Sequence, residues 1–562
     1  MYRTQNGLRA TTRRITAALS TLLVLGAPGA WAAIGDFNGD GVGDVAVGIP
    51  NESVSRPGAD SVAAGAVQVI YGSADNGLVA SQAGIPTNQL WTQDSPGIDG
   101  ESAANMRFGE AVAAGDFDGD GYDDLAIAIR GRSTIQIING SATGLTHGST
   151  RTIRTQDVDN NELSPLARIR LGARSVRDGT TAMVVGDFNG DGVDDLAVEG
   201  NETIGLVQQR GVSDVVILHG HLGDGLDARR TQLLRFEGHA AGAASLGETR
   251  IALAAGDVDG DGDTDLVVGL PFADTSDARG NRLVDAGQVN VLRAAAGFLE
   301  FNGGTTLLQS TGNSEPTEAG DQFGSALALG DFDGNGRADL AVGAAHDDRG
   351  VGTFIDEGAV SVFSGATTFH SFWTQNLLNQ PRDSGDLFGF ALAAGDFNRD
   401  GRDDLAIGAP GDFVSQTTGD NAGAVSVISG GITGLALTNV PGLQYLVQGI
   451  LPGGRSLAGD RFGTTLAAGN VGRSFRVDLL AGAPGKDITT FIYELQRCRQ
   501  PSPIEFCFVG IPSTHIDAGQ LTVMYGNTSG ISTFTAHSFN QGQGSRSLLD
   551  VPEAGDAFGS VQ

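Results

Sequence analysis

"GDFDGDGYDDLAIAI" (115–129) sets Asp116, Asp118, Asp120 and Asp124 within nine residues and follows them at once with an apolar run. Carboxylates this close repel one another and favour a solvated coil unless a cation draws them together. The spacing offers side-chain oxygens at loop positions 1, 3, 5 and 9 and the backbone carbonyl of Tyr122 at position 7, as in a calcium loop. Gly121 stands at position 6, where such a loop turns sharply and needs a residue tolerant of positive φ. One acidic turn could carry this spacing by chance, so recurrence decides the reading. The same spacing opens at Asp36, Asp187, Asp257, Asp331 and Asp396, each time with Gly at position 6. An EF-hand would need Glu at position 12 as a bidentate ligand. Here position 12 is Val47, Ile127, Val198, Val268, Val342 or Ile407, which belongs to a strand. The loops therefore join strands rather than helices.

Around each loop the sequence repeats. A worn seventh copy starts at Asn470, and successive copies lie 65 to 80 residues apart. Phe-Gly precedes several loops, as in "FGEAVAAGD" (108–116), "FGSALALGD" (323–331), "FGFALAAGD" (388–396) and "FGTTLAAGN" (462–470). A small-residue strand follows, such as "DLAVGAA" (339–345) or "DLAIGAP" (404–410), then a third apolar run such as "GAVSVISG" (423–430). These runs alternate with period two between glycines, which marks strands. A less regular fourth segment completes each unit. Four strands per unit with small residues on both faces describe a sheet packed against neighbours on each side. Seven such sheets set radially predict an all-β, seven-bladed β-propeller of four-stranded antiparallel blades. A stacked solenoid would need capping units, which the sequence does not show.

The units resemble the FG-GAP repeats of integrin alpha-subunit propellers and their bacterial relatives, through Phe-Gly, the D-x-[DN]-x-[DN]-G-x-x-D loop and endings like Gly-Ala-Pro. The resemblance spans essentially all of 33–562 and implies calcium in the hairpin between the first two strands of a blade, at about six sites. Carried across, the ligands are Asp36, Asn38, Asp40, Asp44; Asp116, Asp118, Asp120, Asp124; and Asp187, Asn189, Asp191, Asp195. They continue as Asp257, Asp259, Asp261, Asp265; Asp331, Asp333, Asn335, Asp339; and Asp396, Asn398, Asp400, Asp404. Val42, Tyr122, Val193, Asp263, Arg337 and Arg402 would give backbone carbonyls. Unit 2 ends "AIAI" and unit 3 "AVEG", without the Gly-Ala-Pro feature. Unit 7 offers Asn470, Gly472, Ser474 and Asp478, and one carboxylate is too few, so that loop is expected to hold no calcium.

The first 32 residues read as a secretory signal: Arg3, Arg9, Arg13 and Arg14, an apolar core at 15–26, and Ala30-Trp31-Ala32 as the cleavage site. The mature chain would be a single propeller, 33–562, exported to the periplasm, the cell surface or the medium. Cys498 and Cys507 would then form a disulfide. A formal charge of −31 argues against nucleic acid and anionic membranes as partners. No stretch of 18 apolar residues appears in the chain. The ends suggest how the ring closes: "FGSVQ" (558–562) is a Phe-Gly start that lacks its loop, while unit 1 lacks its Phe-Gly. The expectation is that 556–562 completes blade 1.

Function is expected on the rim away from the loops, where the longest segments fall: 50–64, 270–286 and 484–518. The last carries Tyr493, Phe506, Phe508, Arg497 and Arg499. The sequence has no GxSxG, HExxH or Gly-rich phosphate loop, and no catalytic residue is assigned. His219 and His221 read as structural. The favoured reading is an exported, monomeric module binding an extracellular protein or glycan, and the alternative is a secreted carbohydrate-active lyase or hydrolase on the same scaffold.

Overall fold

The computed structural model describes residues 32–539 apart from internal stretches, the longest being 155–168, 172–181, 238–250 and 498–505. Short strands and tight turns dominate it, as the glycine-bounded, period-two pattern requires. Seven antiparallel sheets follow one another along the chain. In blade 1 the strands are Ala32–Gly35, Asp44–Ile49, Ala66–Ile70 and Gln89–Trp91, paired in that order. Blades 2, 4, 5, 6 and 7 repeat this four-stranded pattern. Blade 3 departs from it where its unit lacks Gly-Ala-Pro. Its second strand runs on as Asp195–Ile204 and takes up two further short strands, making six.

Side chains from adjacent sheets interlock in a series of apolar clusters. One joins blades 1 and 2 through Val67, Val69, Phe108 and Leu125. Another joins blades 7 and 1 through Leu480, Val523, Ile34 and Val47. The residue at loop position 2 always points into this core: Phe37, Phe117, Phe188, Val258, Phe332, Phe397 and Val471 are all at most 1% exposed. Small residues elsewhere on the strands let the blades approach closely. A backbone hydrogen bond also recurs between neighbours. The position-8 N–H of one blade donates to the position-1 carbonyl of the blade before, as in Asp123 to Asp36 and Asp403 to Asp331. The same bond runs from Gly43 of blade 1 to Asn470 of blade 7 at 2.8 Å, so blade 7 abuts blade 1 and the ring closes.

The two sequence signatures meet within blades, and the second-strand glycines Gly343 and Gly408 face the Gly389 and Gly463 carbonyls of the next blade. Gly324 N–H donates to the Gly343 carbonyl within blade 5, and Gly389 to Gly408 within blade 6. The Phe of each Phe-Gly lies against the glycine that opens the third strand of the preceding blade: Phe323 N–H bonds the Ala286 carbonyl beside Gly287, and Phe388 N–H bonds Glu357 beside Gly358.

The long segments expected between second and third strands contain two-stranded hairpins. They are Val54–Arg56 with Ala59–Ser61 in blade 1, Thr275–Ser276 with Arg282–Leu283 in blade 4, and Ile488–Arg497 with Phe506–His515 in blade 7. The signal segment through Trp31, Cys498 and the closing segment 556–562 lie outside the described residues. Ala32, the residue before the expected cleavage point, is paired with Val47.

Candidate metal centres at the hairpin rim

Each loop is folded by its own carboxylates. Asp36 Oδ1 accepts the Asp40 N–H at 3.0 Å and Oδ2 the Gly41 N–H at 2.8 Å. The bond to the position-6 N–H recurs from Asp116, Asp187, Asp257, Asp331 and Asp396 at 2.7 to 2.9 Å. Position 6 has φ between 84° and 97° in all six loops, so glycine there answers a conformational demand.

Carboxylate oxygens converge within these loops. Asp116, Asp118 and Asp120 bring oxygens within 4.8 Å of one another, as do Asp257, Asp259 and Asp265, and Asp331, Asp333 and Asp339. Four buried oxygens at ligand positions, Asp124 Oδ2, Asp259 Oδ1, Asn398 Oδ1 and Asp404 Oδ2, have no hydrogen-bond partner among the described residues. A set of hard oxygen donors with unsatisfied lone pairs fits a calcium ion. Burial, reinforced by the neighbouring acids, pushes Asp44 up to about 9 and Asp124 up to about 8. A cation among them would offset both causes by favouring the ionised form.

Position 9 has a second duty that spacing does not reveal. Asp44 Oδ2 accepts the Phe37 N–H at 3.0 Å, and its Oδ1 accepts Gly72 N–H at 2.8 Å, tying the loop to the end of the third strand. Asp195 and Asp265 bond in the same way. So does Asp478 of blade 7, whose oxygens accept Val471 N–H at 3.1 Å and Gly526 N–H at 2.9 Å. Asp478 thus has a clear role in a loop stripped of its other acids. Asp478→Ala is therefore expected to destabilise the calcium-free protein by roughly 1–3 kcal/mol for each of its two buried N–H partners left unpaired, and Asp404→Ala for the one, Gly430 N–H, that its Oδ1 accepts at 3.0 Å. Only Asp404→Ala should also lower the bound calcium. Denaturant titration beside metal analysis checks this, and a much milder Asp478→Ala would refute it.

A further set of acids escaped the sequence reading. Asp123 Oδ2 accepts the Asp36 N–H of the preceding blade at 2.8 Å; Asp194 does the same for Asp116 at 3.0 Å, and Asp403 for Asp331 at 2.9 Å. Their one signal was the Asp-Asp doublet at positions 8 and 9. His219 Nδ1 lies 2.9 Å from Asp195 Oδ2, which gives that histidine a structural place beside the loop. Loop 7 is described only at its ends, where Asn470 Oδ1 accepts the Gly472 N–H at 3.2 Å.

Known proteins share these features. The FG-GAP repeat matches residues 28–70, 108–135, 250–292, 323–363 and 388–428, which fall on blades 1, 2, 4, 5 and 6. Integrin alpha-PS2 of Drosophila melanogaster is 33% identical over 165 residues, 29% of this chain and 10% of its own length. Integrin alpha-V of Gallus gallus is 28% identical over 242 residues, 41% of this chain and 20% of its own. Phosphatidylinositol-glycan-specific phospholipase D of Rattus norvegicus is 28% identical over 193 residues, 34% of this chain and 20% of its own. The chain thus spans only a tenth to a fifth of these three relatives. Among solved structures, rhamnogalacturonan lyase YesW superposes with a TM-score of 0.28 at 14% identity, covering 76% of this chain and 63% of that one. Among the described residues no helix is long and apolar enough to cross a membrane. Phe-Gly and the strand-two glycines meeting blade to blade, on seven sheets of which six carry acidic hairpins, show that this chain is built of FG-GAP repeats as an integrin alpha-like β-propeller.

Proposed function

We propose that the chain is an exported, calcium-stabilised binding module that captures an extracellular protein or glycan, in adhesion or a related role. One observation carries this reading. The three inserted hairpins of blades 1, 4 and 7 all connect second to third strands, so all rise from the rim opposite the acidic loops. A rigid ring that displays variable elements on one rim is a scaffold for recognition. Repeats shared with integrin alpha-subunits support it. Calcium, in this reading, is structural: the six hairpin sets named above would hold it and so fix the opposite rim. Export follows from the signal-like first 32 residues and suits a metal that is abundant outside cells.

The test is an array of glycans and matrix proteins probed with the full chain, in calcium and in chelator. Binding to some array members in calcium is expected. Replacing 489–514 with a tight turn should abolish it while leaving the melting temperature within a few degrees. Binding that survives both chelation and loss of this hairpin would overturn the proposal, and so would silence across the array.

A further inference from the structure

The rim that carries the inserted hairpins has a second recurring arrangement, built from three places in each of blades 5, 6 and 7. One is a Gln two residues past the fourth strand of the preceding blade. Another is the Asp two residues before Phe-Gly. The third lies four residues after the second-strand glycine. In blade 7 these are Gln448, Asp460 and Lys486, all buried. The Lys486 ammonium stands 2.6 Å from Asp460 Oδ2 and 3.4 Å from Gln448 Oε1, and it also donates to the Arg455 carbonyl. Here a buried cation is part of the chain.

In blade 6 the same places hold Gln375, Asp386 and Asp412, at 0, 1 and 1% exposure. Gln375 Nε2 donates to Asp412 Oδ2 at 2.8 Å, as does the Tyr445 hydroxyl at 2.9 Å. Asp386 Oδ2 accepts the Asp383 N–H at 2.6 Å. Two oxygens have no partner among the described residues, Asp386 Oδ1 and Gln375 Oε1, although both residues are fully enclosed. A buried amide oxygen and a buried carboxylate oxygen left unpaired are each costly. Blade 5 repeats the residue types with Gln309, Asp321 and Asp347, and Gln309 Nε2 again reaches the Asp, Oδ1 of Asp347, at 2.8 Å.

We propose that blade 6 takes a divalent cation, calcium by its chemistry, between Asp386 and Asp412 with Gln375 Oε1 as a neutral ligand, and that Lys486 is the built-in replacement for that ion in blade 7. Charge fixes the valence. Asp460 with Lys486 sums to zero, and exchanging the lysine for an aspartate leaves two negative charges that one divalent ion cancels. The donors fix the class, because carboxylate and amide oxygens without nitrogen or sulfur suit a hard cation. Without an ion, ionising both acids is opposed by burial and by their mutual repulsion. Burial, with Asp412 next among the acids, already pushes Asp386 up to about 7.

The experiment is equilibrium dialysis of the full-length protein against about 1 mM calcium, with metal content measured per chain for wild type and Asp412→Lys. The variant copies the blade 7 arrangement into blade 6 and leaves every hairpin loop intact. It is expected to bind about one calcium fewer per chain and to melt higher than wild type in EDTA. Equal calcium content in the two proteins overturns the proposal and assigns the pair to a shared proton. If Asp412→Lys fails to fold, Asp386→Asn gives the same reading, with one ion lost in support and none lost against. The count is a difference, so it stands whether or not the hairpin loops bind calcium.

Discussion

Moving the protein from calcium into EDTA is expected to lower its melting temperature by more than about 10 °C, the largest effect of any single change of solvent. The reason lies in how the loops are built. Each carries three or four carboxylates at its ligand positions, and in three of the loops carboxylate oxygens lie within 4.8 Å of one another. Burial and mutual repulsion both oppose ionisation there, as the upward shifts of Asp44, Asp124 and Asp404 record. A bound divalent ion reverses the sign of the local field. At a free calcium one hundredfold above its dissociation constant, each site would add about 2.7 kcal/mol, and six such sites act on one folded unit. Differential scanning calorimetry in calcium and in EDTA decides it. Coincident melts would show that the loops are acidic turns and nothing more.

The second large effect should come from a single methyl group. A Cβ on Gly343 would lie 2.2 Å from the Gly389 carbonyl of the next blade, and one on Gly408 would lie 2.1 Å from that of Gly463. The obstacle in both is backbone, which cannot rotate aside. Gly343→Ala is therefore expected to cost about 3 kcal/mol or more, at the upper end for overpacking, because relief requires moving one blade from its neighbour. Gly336→Ala makes the control. Its Cβ would meet nothing within 4 Å, but its φ of 84° is one that alanine resists. That substitution should cost about 1–2 kcal/mol. Urea midpoints of the two variants test the ranking, and a milder Gly343→Ala would falsify the wedge.

The local features were legible because they obey local rules. Gly at position 6 follows from the turn, and the aliphatic residue at position 12 turned the reading from helix to strand before any coordinates. Seven units of four strands left a propeller as the economical solution, and blade 3 strayed only where its unit had lost Gly-Ala-Pro. What stayed hidden depends on neighbours distant in sequence. Asp123 looks like a spare ligand until the adjoining blade brings Asp36 N–H against it, 87 residues away. Asp478 looked like a relic because spacing counts possible ligands and does not count backbone donors. Gln375, Asp386 and Asp412 come from three separate segments, so no motif could join them. The disulfide between Cys498 and Cys507, and closure by 556–562, remain expectations from sequence.

Closure through Gly43 and Asn470 has a mechanical consequence. A ring under outward load behaves as a hoop: the tension is common to every joint, and the weakest joint sets the load at which it opens. Six of the seven joints are backed by the polypeptide that runs from one blade to the next. Among the described residues the joint between blades 7 and 1 is made by contact, and at position 8 it has Gly43, where the joints into blades 2, 3 and 6 have an aspartate bonded across the gap. Force, proteases or a wedge-shaped ligand that parted this seam would leave an arc that still contained seven intact sheets.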